Sequence, residues 1–416
     1  MRTKKVNNLK GFRNFLPEDQ TLKNYLVRTL KQVFEAYGFE PLETPAIEYA
    51  STLLGKYGNE ADKLVYTFKD KGDRLVGLRY DLTVPLAKVL SQNSGQIPLP
   101  FKRYQIQNVW RAEKPQAGRF REFLQCDVDI VGTNSPLAEA EIIALTVNCF
   151  KKLGLENFEV KINSRQVLFS LLNELNIKEK KQQMSFLQTL DKLEKMGPDK
   201  VKAELLEKGF REKIINKLFT ELKTIKPDEN LKKIFDLLSY YGINEKNYSF
   251  SPTLVRGLDY YTGPIFEVVL KNEKISSLAG GGRYDELIPS LGGPDISGTG
   301  LSFGLDRIIN LLKEKKQLAG NLKTKKNVLV LTFSDLLKEN IKTLTQLRKN
   351  GILGEIYLKD SSFKTQLKYA DKKGVSWVII QGPDEIKAKV LTLKGMNKKE
   401  QKKLKLEEII RILKDS

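Results

Sequence analysis

The chain has 416 residues, 40% of them hydrophobic, which at roughly 150 residues per domain implies two or three domains with a sizeable core. Its 71 Lys and Arg against 51 Asp and Glu leave a formal charge of +20, an excess that suits a polyanion partner such as nucleic acid and equally a Lys-rich surface of biased composition. It contains no histidine, which excludes Ser-His-Asp and Cys-His chemistry, His-ligated metals and imidazole bases.

No run of about 18 apolar residues occurs, so no membrane span is expected. The first residues, MRTKKVNNLKGF, are basic but lack the apolar centre of a signal peptide. Two cysteines, Cys126 and Cys149, make neither a disulfide framework nor a metal spacing. A cytoplasmic location is the simplest expectation.

In chain order, residues 21–37 read as an amphipathic helix, with Leu22, Leu26, Leu30, Val33 and Phe34 at helical spacing and Gly38 as its stop. Pro41 and Pro45 bracket a short extended piece. The run LRYDLTV at 78–84 reads as a strand, with Arg79, Asp81 and Thr83 on one face. FKRYQIQNVWRAE and EFLQCDVDIVG read as two strands of a long hairpin. The basic, Gly-containing loop KPQAGRFR joins them. The second strand puts Leu124, Cys126, Val128 and Ile130 on one side and Gln125, Asp127 and Asp129 on the other. A polar strand face exposed to water is ordinary. With Arg111 at the hairpin end, however, the face joins acids that suit a cationic substrate to arginines that suit phosphate: Arg111, Arg119 and Arg121.

Ser135-Pro136 opens a further helix, with Ser as N-cap and Pro at the first helical position. Residues 169–248 are helical and charged without a strand signal, as in an insertion. Strand patterns return over 249–303. LAGGGRYDELI carries three consecutive glycines, which weaken a strand but admit close approach of backbone to a ligand. GTGLSFGLDRII joins a Gly-rich strand to a helix and places Arg307 near its first turn. Residues 313–326 are Lys-rich and suit a linker. In the last ninety or so residues, NVLVLTF and SWVIIQG alternate with helical patterns, as in a small open sheet covered by helices.

These segments, in this order, resemble the class II aminoacyl-tRNA synthetases. The Pro45 region resembles their first motif, Arg111 to Asp129 their second, and GLSFGLDRI their third. TLVRGLDYYTG, AGGGRYDEL and LRYDLT are more specific: they closely resemble peptides of the histidyl-tRNA synthetases. The resemblance implies an α+β fold: an antiparallel class II catalytic sheet edged by helices, a helical insertion and a C-terminal α/β anticodon-binding domain. The corresponding bounds are 1–168 and 249–318 for the two parts of the catalytic core and 169–248 for the insertion. A linker at 319–326 and the anticodon domain at 327–416 complete them.

It further implies a histidine–tRNA ligase acting as a homodimer on L-histidine, ATP and tRNA(His), with Mg2+ carried on the ATP phosphates; it assigns no protein metal ligand. By motif position, Asp81 and Thr83 would hold the histidine ammonium group. Asp81 stands where many relatives have Glu, so its reach is shorter. Arg111 would bind the carboxylate and the ATP α-phosphate, and Gln125 the amino acid. Asp129 and Tyr261 would read the imidazole, with Tyr260 and Tyr284 lining the pocket. Glu113 would contact the adenine end and Arg307 the γ-phosphate. Arg256 would be the distinctive catalytic group, beside Arg111. Strict strand alternation would put Arg256 and Tyr261 on opposite faces, so a shared site requires a bend, which Gly257 makes cheap.

Such a reaction needs no protein base in its first step, because the nucleophile is already a carboxylate; positioning and charge stabilisation suffice. A histidine-free chain can therefore carry it. Two other classes remain in view. One is a non-catalytic paralogue, the regulatory subunit of ATP phosphoribosyltransferase, which generally lacks RGLDYYTG and the anticodon domain. The other is a plain nucleic-acid binder, which leaves the ordered acids and glycines unexplained.

Overall fold

The apolar positions at three- and four-residue steps in the first long helix, Pro17–Ala36, are its buried face: Leu22, Leu26, Leu30, Val33 and Phe34. Pro17 at the first helical position costs nothing, because its missing N–H would be unpaired there anyway. These elements are taken from a computed structural model, which describes residues 6–54, 63–93, 95–115, 120–256, 260–271, 277–290, 292–314, 328–396 and 400–415. The chain divides into two compact units, Met1–Glu314 and Lys315–Ser416. The linker expected at 319–326 lies outside the described residues.

The first unit is built on an eight-stranded, largely antiparallel sheet. Its strands are β1 (Glu40–Pro41), β5 (Phe101–Trp110), β6 (Glu122–Val131), β7 (Phe158–Ser164), β8 (Tyr248–Phe250), β9 (Pro264–Leu270), β10 (Ala279–Arg283) and β11 (Gly298–Phe303). They lie in the order β1-β5-β6-β11-β10-β9-β7-β8. A separate three-stranded sheet joins β2 (Ile47–Tyr49), β3 (Tyr66–Lys69) and β4 (Leu75–Leu78). One face of the large sheet is apolar. Phe303 on β11 lies 5.6 Å from Phe34 and 6.1 Å from Phe150, ring centre to ring centre, and Phe150 lies 5.1 Å from Phe158. The helix Pro136–Lys152 covers this face; Ser135 caps it by accepting the Leu137 N–H, as its sequence implies.

The charged helical stretch divides in two. Helices between Arg165 and Glu221 share an apolar core that includes Leu168, Phe186, Leu190, Leu205 and Leu218. The last helix, Glu229–Tyr240, instead packs on the helix Pro136–Lys152.

Two strand expectations are corrected. LRYDLTV is not one strand: β4 stops at Leu78, and Thr83 begins the helix Thr83–Gln92. The Asp81 carboxylate accepts the Val84 N–H at 3.1 Å, and Pro85 sits in the first turn, where its lack of a donor is harmless. Arg79 therefore does not share a strand face with Asp81. It is buried, donating to the carbonyls of Thr44 and Asn108. The described residues of RGLDYYTG are likewise not in a strand. Arg256 has φ +57°, a left-handed turn, so alternation does not govern where Arg256 and Tyr261 point. Gly257, where a bend was expected, lies outside the described residues.

The second unit is a five-stranded sheet in the order β13-β12-β14-β15-β16, formed by Gly354–Ile356, Val328–Val330, Trp377–Ile380, Leu391–Gly395 and Gln401–Leu404. The first three strands are parallel and the last two antiparallel. Helices follow the strands up to β15, as the alternating pattern implies, and β15 pairs with β16, the next strand in the chain. Among the described residues no helix is long and apolar enough to cross a membrane.

Because Phe150 is fully buried between Phe303 and Phe158, Phe150→Ala is expected to destabilise the first unit by about 3–5 kcal/mol. Denaturant unfolding followed by near-ultraviolet circular dichroism measures this.

Candidate active site

The other face of the large sheet is polar, and it is buried. Cross-strand register aligns Arg103 with Asp129 and Gly300, and Gln105 with Asp127, Ser302, Gly280 and Glu267. Gln125, Asp127 and Asp129 are 7%, 4% and 4% exposed, so this is not a face turned to water. Arg103, on the facing strand, is completely buried and pairs with Asp129, Nη2 to Oδ2, at 2.8 Å. The Tyr284 hydroxyl donates to the other Asp129 oxygen. The Gln125 amide donates to Asp127 at 2.8 Å, while Gln125 Oε1 is buried with no hydrogen-bond partner among the described residues.

The glycines of β10 and β11 make the floor. A Cβ on Gly280 would lie 1.7 Å from Arg256 Nη1, so the guanidinium occupies the space a side chain would fill. Arg256 also faces Glu267, the Gly280 neighbour on β9, at 3.3 Å. A Cβ on Gly300 would meet an Asp129 oxygen at 2.0 Å, one on Gly298 the Tyr284 ring at 2.4 Å, and one on Gly282 the Tyr261 ring at 2.9 Å. Close approach to other groups thus explains these glycines. The wall is aromatic: Tyr260 lies 4.6 Å from Tyr261 and meets Tyr284 edge-on at 6.3 Å.

Arg256 pays for its place with backbone strain, since a left-handed conformation costs a non-glycine residue about 1–2 kcal/mol. Arg111, just past β5, donates from Nε to the Tyr80 carbonyl at 2.9 Å and covers the Phe123 ring. Arg111 on the Tyr80 carbonyl and Arg103, 3.3 Å from the Leu82 carbonyl, flank Asp81. Thr83 is beside it at the helix start. Asp81, Gln125, Asp129, Arg256, Tyr260, Tyr261 and Tyr284 therefore converge. Arg307 lies further along, donating to the Ser277 carbonyl at 2.6 Å. Glu113 is at the hairpin end, where its carbonyl accepts from Arg121 at 2.9 Å. Arg119, a suggested phosphate ligand, lies outside the described residues.

Sequence reasoning missed Arg103 and Glu267. Period-two alternation in KRYQIQ already placed Arg103, Gln105 and Gln107 on one face; only the hairpin register, which sets Arg103 opposite Asp129, distinguishes it.

Comparison with known proteins bears on this site. A family model described as histidyl-tRNA synthetase matches residues 11–308, and one described as anticodon binding domain matches 327–416. The chain is 40% identical to the histidine–tRNA ligase of Christiangramia forsetii, over 95% of this chain and 96% of that protein. It is 38% identical to that of Clostridium tetani, over 98% of both. The crystal structure of histidyl-tRNA synthetase from Nostoc sp. PCC 7120 is similar, with TM-score 0.84 and 28% identity, covering 99% of this chain and all of that one. A Bacillus halodurans structure titled ATP phosphoribosyltransferase regulatory subunit/histidyl-tRNA synthetase shares the fold, with TM-score 0.75 at 22% identity, covering 90% of this chain and 98% of that one.

Burial controls ionisation on the polar face. It pushes the Asp81 carboxyl up to about 6, against the Val84 N–H and the Arg111 charge. Burial raises Asp127 to about 7, against Arg103 and reinforced by the charge of Asp129. Asp129 is raised too, by burial opposed by Arg103 and Tyr284. A carboxyl whose folded pKa exceeds its unfolded one stabilises the fold fully below the unfolded value, and that contribution is lost as pH rises through the folded value. For Asp127 the loss runs from about pH 4 to pH 7. Asp127→Asn is therefore expected to raise the melting temperature at pH 8 by roughly 2–4 °C over the parent. The gap should vanish near pH 4, and a pH series of calorimetric scans measures it.

Proposed function

The chain belongs to the histidyl-tRNA synthetase family, and from that premise we propose the roles of its site residues. Its activity is that of a histidine–tRNA ligase, which activates histidine with ATP and joins it to tRNA. The Gly280 gap carries the assignment: the guanidinium of Arg256 lies in it, on the same buried face as the acids and tyrosines.

In this reading Asp81 and Thr83 take the ammonium group of histidine. Arg111 takes the carboxylate and the α-phosphate, and Gln125 contacts the amino acid through its unpaired oxygen. Asp129 and Tyr261 read the imidazole, with Tyr260 and Tyr284 as walls. Arg103 and Tyr284 already occupy part of the Asp129 carboxylate, and its remaining lone pairs accept from the ring N–H. Glu113 contacts the adenine end and Arg307 the γ-phosphate. Mg2+ enters with ATP, on triphosphate oxygens.

The histidine carboxylate attacks the α-phosphorus of ATP in line. The bond to the bridging oxygen breaks, and pyrophosphate leaves with that electron pair. Arg256 and Arg111 balance the charge that builds on the α-phosphoryl oxygens. In the second step the terminal ribose hydroxyl of tRNA attacks the acyl carbon and AMP departs, with a phosphate oxygen of the adenylate accepting the hydroxyl proton. Pairing both imidazole nitrogens would reject analogues lacking them by about 10⁴ or more.

Histidine-dependent exchange of pyrophosphate into ATP tests this reading. A regulatory paralogue or a plain nucleic-acid binder would not catalyse it, and its absence from folded protein would refute the function. Asp129→Ala should reduce histidine activation far more than ATP affinity; equal losses would refute its role.

A homodimer is supported by the three-stranded sheet. Ile47, Tyr49 and Phe68, on one face of it by register, are 50%, 56% and 42% exposed. Such a patch calls for a partner. Tyr49→Asp is expected to convert dimer to monomer in light scattering at micromolar concentration. A parent that is already monomeric would remove the dimer from the proposal. The nucleic-acid partner is tRNA(His), engaged in part by residues 327–416, and the cytoplasm is the expected compartment.

A further inference from the structure

The segment before the first long helix lies against both elements assigned to ATP. The Arg121 N–H donates to the Gly11 carbonyl at 2.9 Å, and the Arg111 N–H donates to the Arg121 carbonyl at 2.8 Å. Arg121 also donates from Nε to the Glu113 carbonyl at 2.9 Å. Gly11, Arg121, Arg111 and Glu113 are thus one bonded run at the loop end of the β5–β6 hairpin. Gly11 suits this place because its φ is +89° and a Cβ there would lie 2.8 Å from Arg121 Cγ.

Arg13 is where this segment meets both elements. Its guanidinium covers the Phe120 ring at 3.7 Å and the Phe15 ring at 4.4 Å. The same guanidinium donates to the Asp306 carboxylate. Phe120 precedes Arg121 in the hairpin loop, and Asp306 stands in the first turn of the helix Leu305–Glu314, one residue before Arg307. An ion pair at a free surface is worth little. This one is shielded, with side chains 27% and 15% exposed, and it packs on two aromatic rings, where both kinds of attraction are stronger than in water. The charge of Asp306 has a local reason, since a carboxylate suits a helix N-terminus. The charge of Arg13 has none: the residue lies outside any helix or strand, and an apolar side chain would cover the rings as well.

Resting on the ligase reading, we infer that Arg13 is a positioning residue for ATP. It ties the hairpin loop, beside Arg111 and Glu113, to the helix that carries Arg307. It thereby fixes the spacing between the groups assigned to the adenine end and to the γ-phosphate. It acts through Phe120 and Asp306, not by touching the nucleotide. Asp129, assigned to the imidazole, is held by Arg103 and Tyr284 instead, so the effect falls on ATP rather than on histidine.

The test is histidine-dependent pyrophosphate exchange by the full chain, with ATP and histidine varied in turn. Arg13→Ala is expected to raise the KM for ATP roughly tenfold and to leave that for histidine within about twofold. Arg13→Met keeps an apolar stem over the rings without the charge and should be as impaired. Arg13→Lys keeps the charge and should recover most of the loss. Asp306→Asn should also raise the KM for ATP, and should add little to Arg13→Ala, because both break the same tie. An unchanged KM for ATP in Arg13→Ala, a parallel rise in both KM values, a parental KM for ATP in Arg13→Met, or full additivity with Asp306→Asn would each overturn the inference. If Arg13→Ala does not fold, Arg13→Met and its double variant with Asp306→Asn decide by the same split and the same additivity. A parent chain without exchange activity would instead refute the ligase reading.

Discussion

Arg103 lies fully buried and faces Asp129 across the β5–β6 hairpin. Taking either charge out of water alone would cost several kcal/mol, so each needs the other. The pairing also sets a deficit, because Asp127 shares the same buried face and one guanidinium cannot neutralise two carboxylates. Burial above all, with the charge of Asp129 added, pushes Asp127 up to about 7. The Gln125 amide and the Tyr284 hydroxyl provide further donors to the acids. A polar face of this kind is poor economy for stability. It suits a cationic or hydrogen-bonding ligand that completes it.

The glycines of β10 and β11 are the counterpart of that crowding. The polar groups can approach the sheet only where no Cβ stands, at Gly280 under Arg256 and at Gly300 beside Asp129. Glycine costs strand stability, and the opposite face offsets this with the aromatic packing of Phe34, Phe150, Phe158 and Phe303. One sheet thus has an apolar side packed against helices and a polar side that is buried as well. Arg256 reaches that side from a left-handed turn whose carbonyl accepts from Arg165, at the start of an inserted helix.

Legibility from sequence differed between elements for physical reasons. The helices Pro17–Ala36 and Pro136–Lys152 were readable because an amphipathic period and a cap are local properties. The hairpin was readable because its two strands alternate over ten residues each. LRYDLTV misled because a short alternation cannot be told from a strand end followed by a capped helix; the Asp81 bond to Val84 decides it. RGLDYYTG misled in the same way, since nothing in its composition announces a left-handed Arg256.

By itself, the sequence determined the family, through the peptides LRYDLT, TLVRGLDYYTG and AGGGRYDEL, and the fold class that goes with it. It also determined that no imidazole of the chain itself takes part, because the chain contains no histidine. Which polar residues meet was decided by tertiary structure. Arg103 and Asp129 are 26 positions apart and become partners only through hairpin register. Arg256 and Gly280 meet because one lacks the atoms the other displaces. Arg165 reaches the Arg256 carbonyl, 91 positions on, only when the first inserted helix packs beside that turn. Such pairings depend on distances that close when the sheet and helices pack, and a one-dimensional pattern does not contain them.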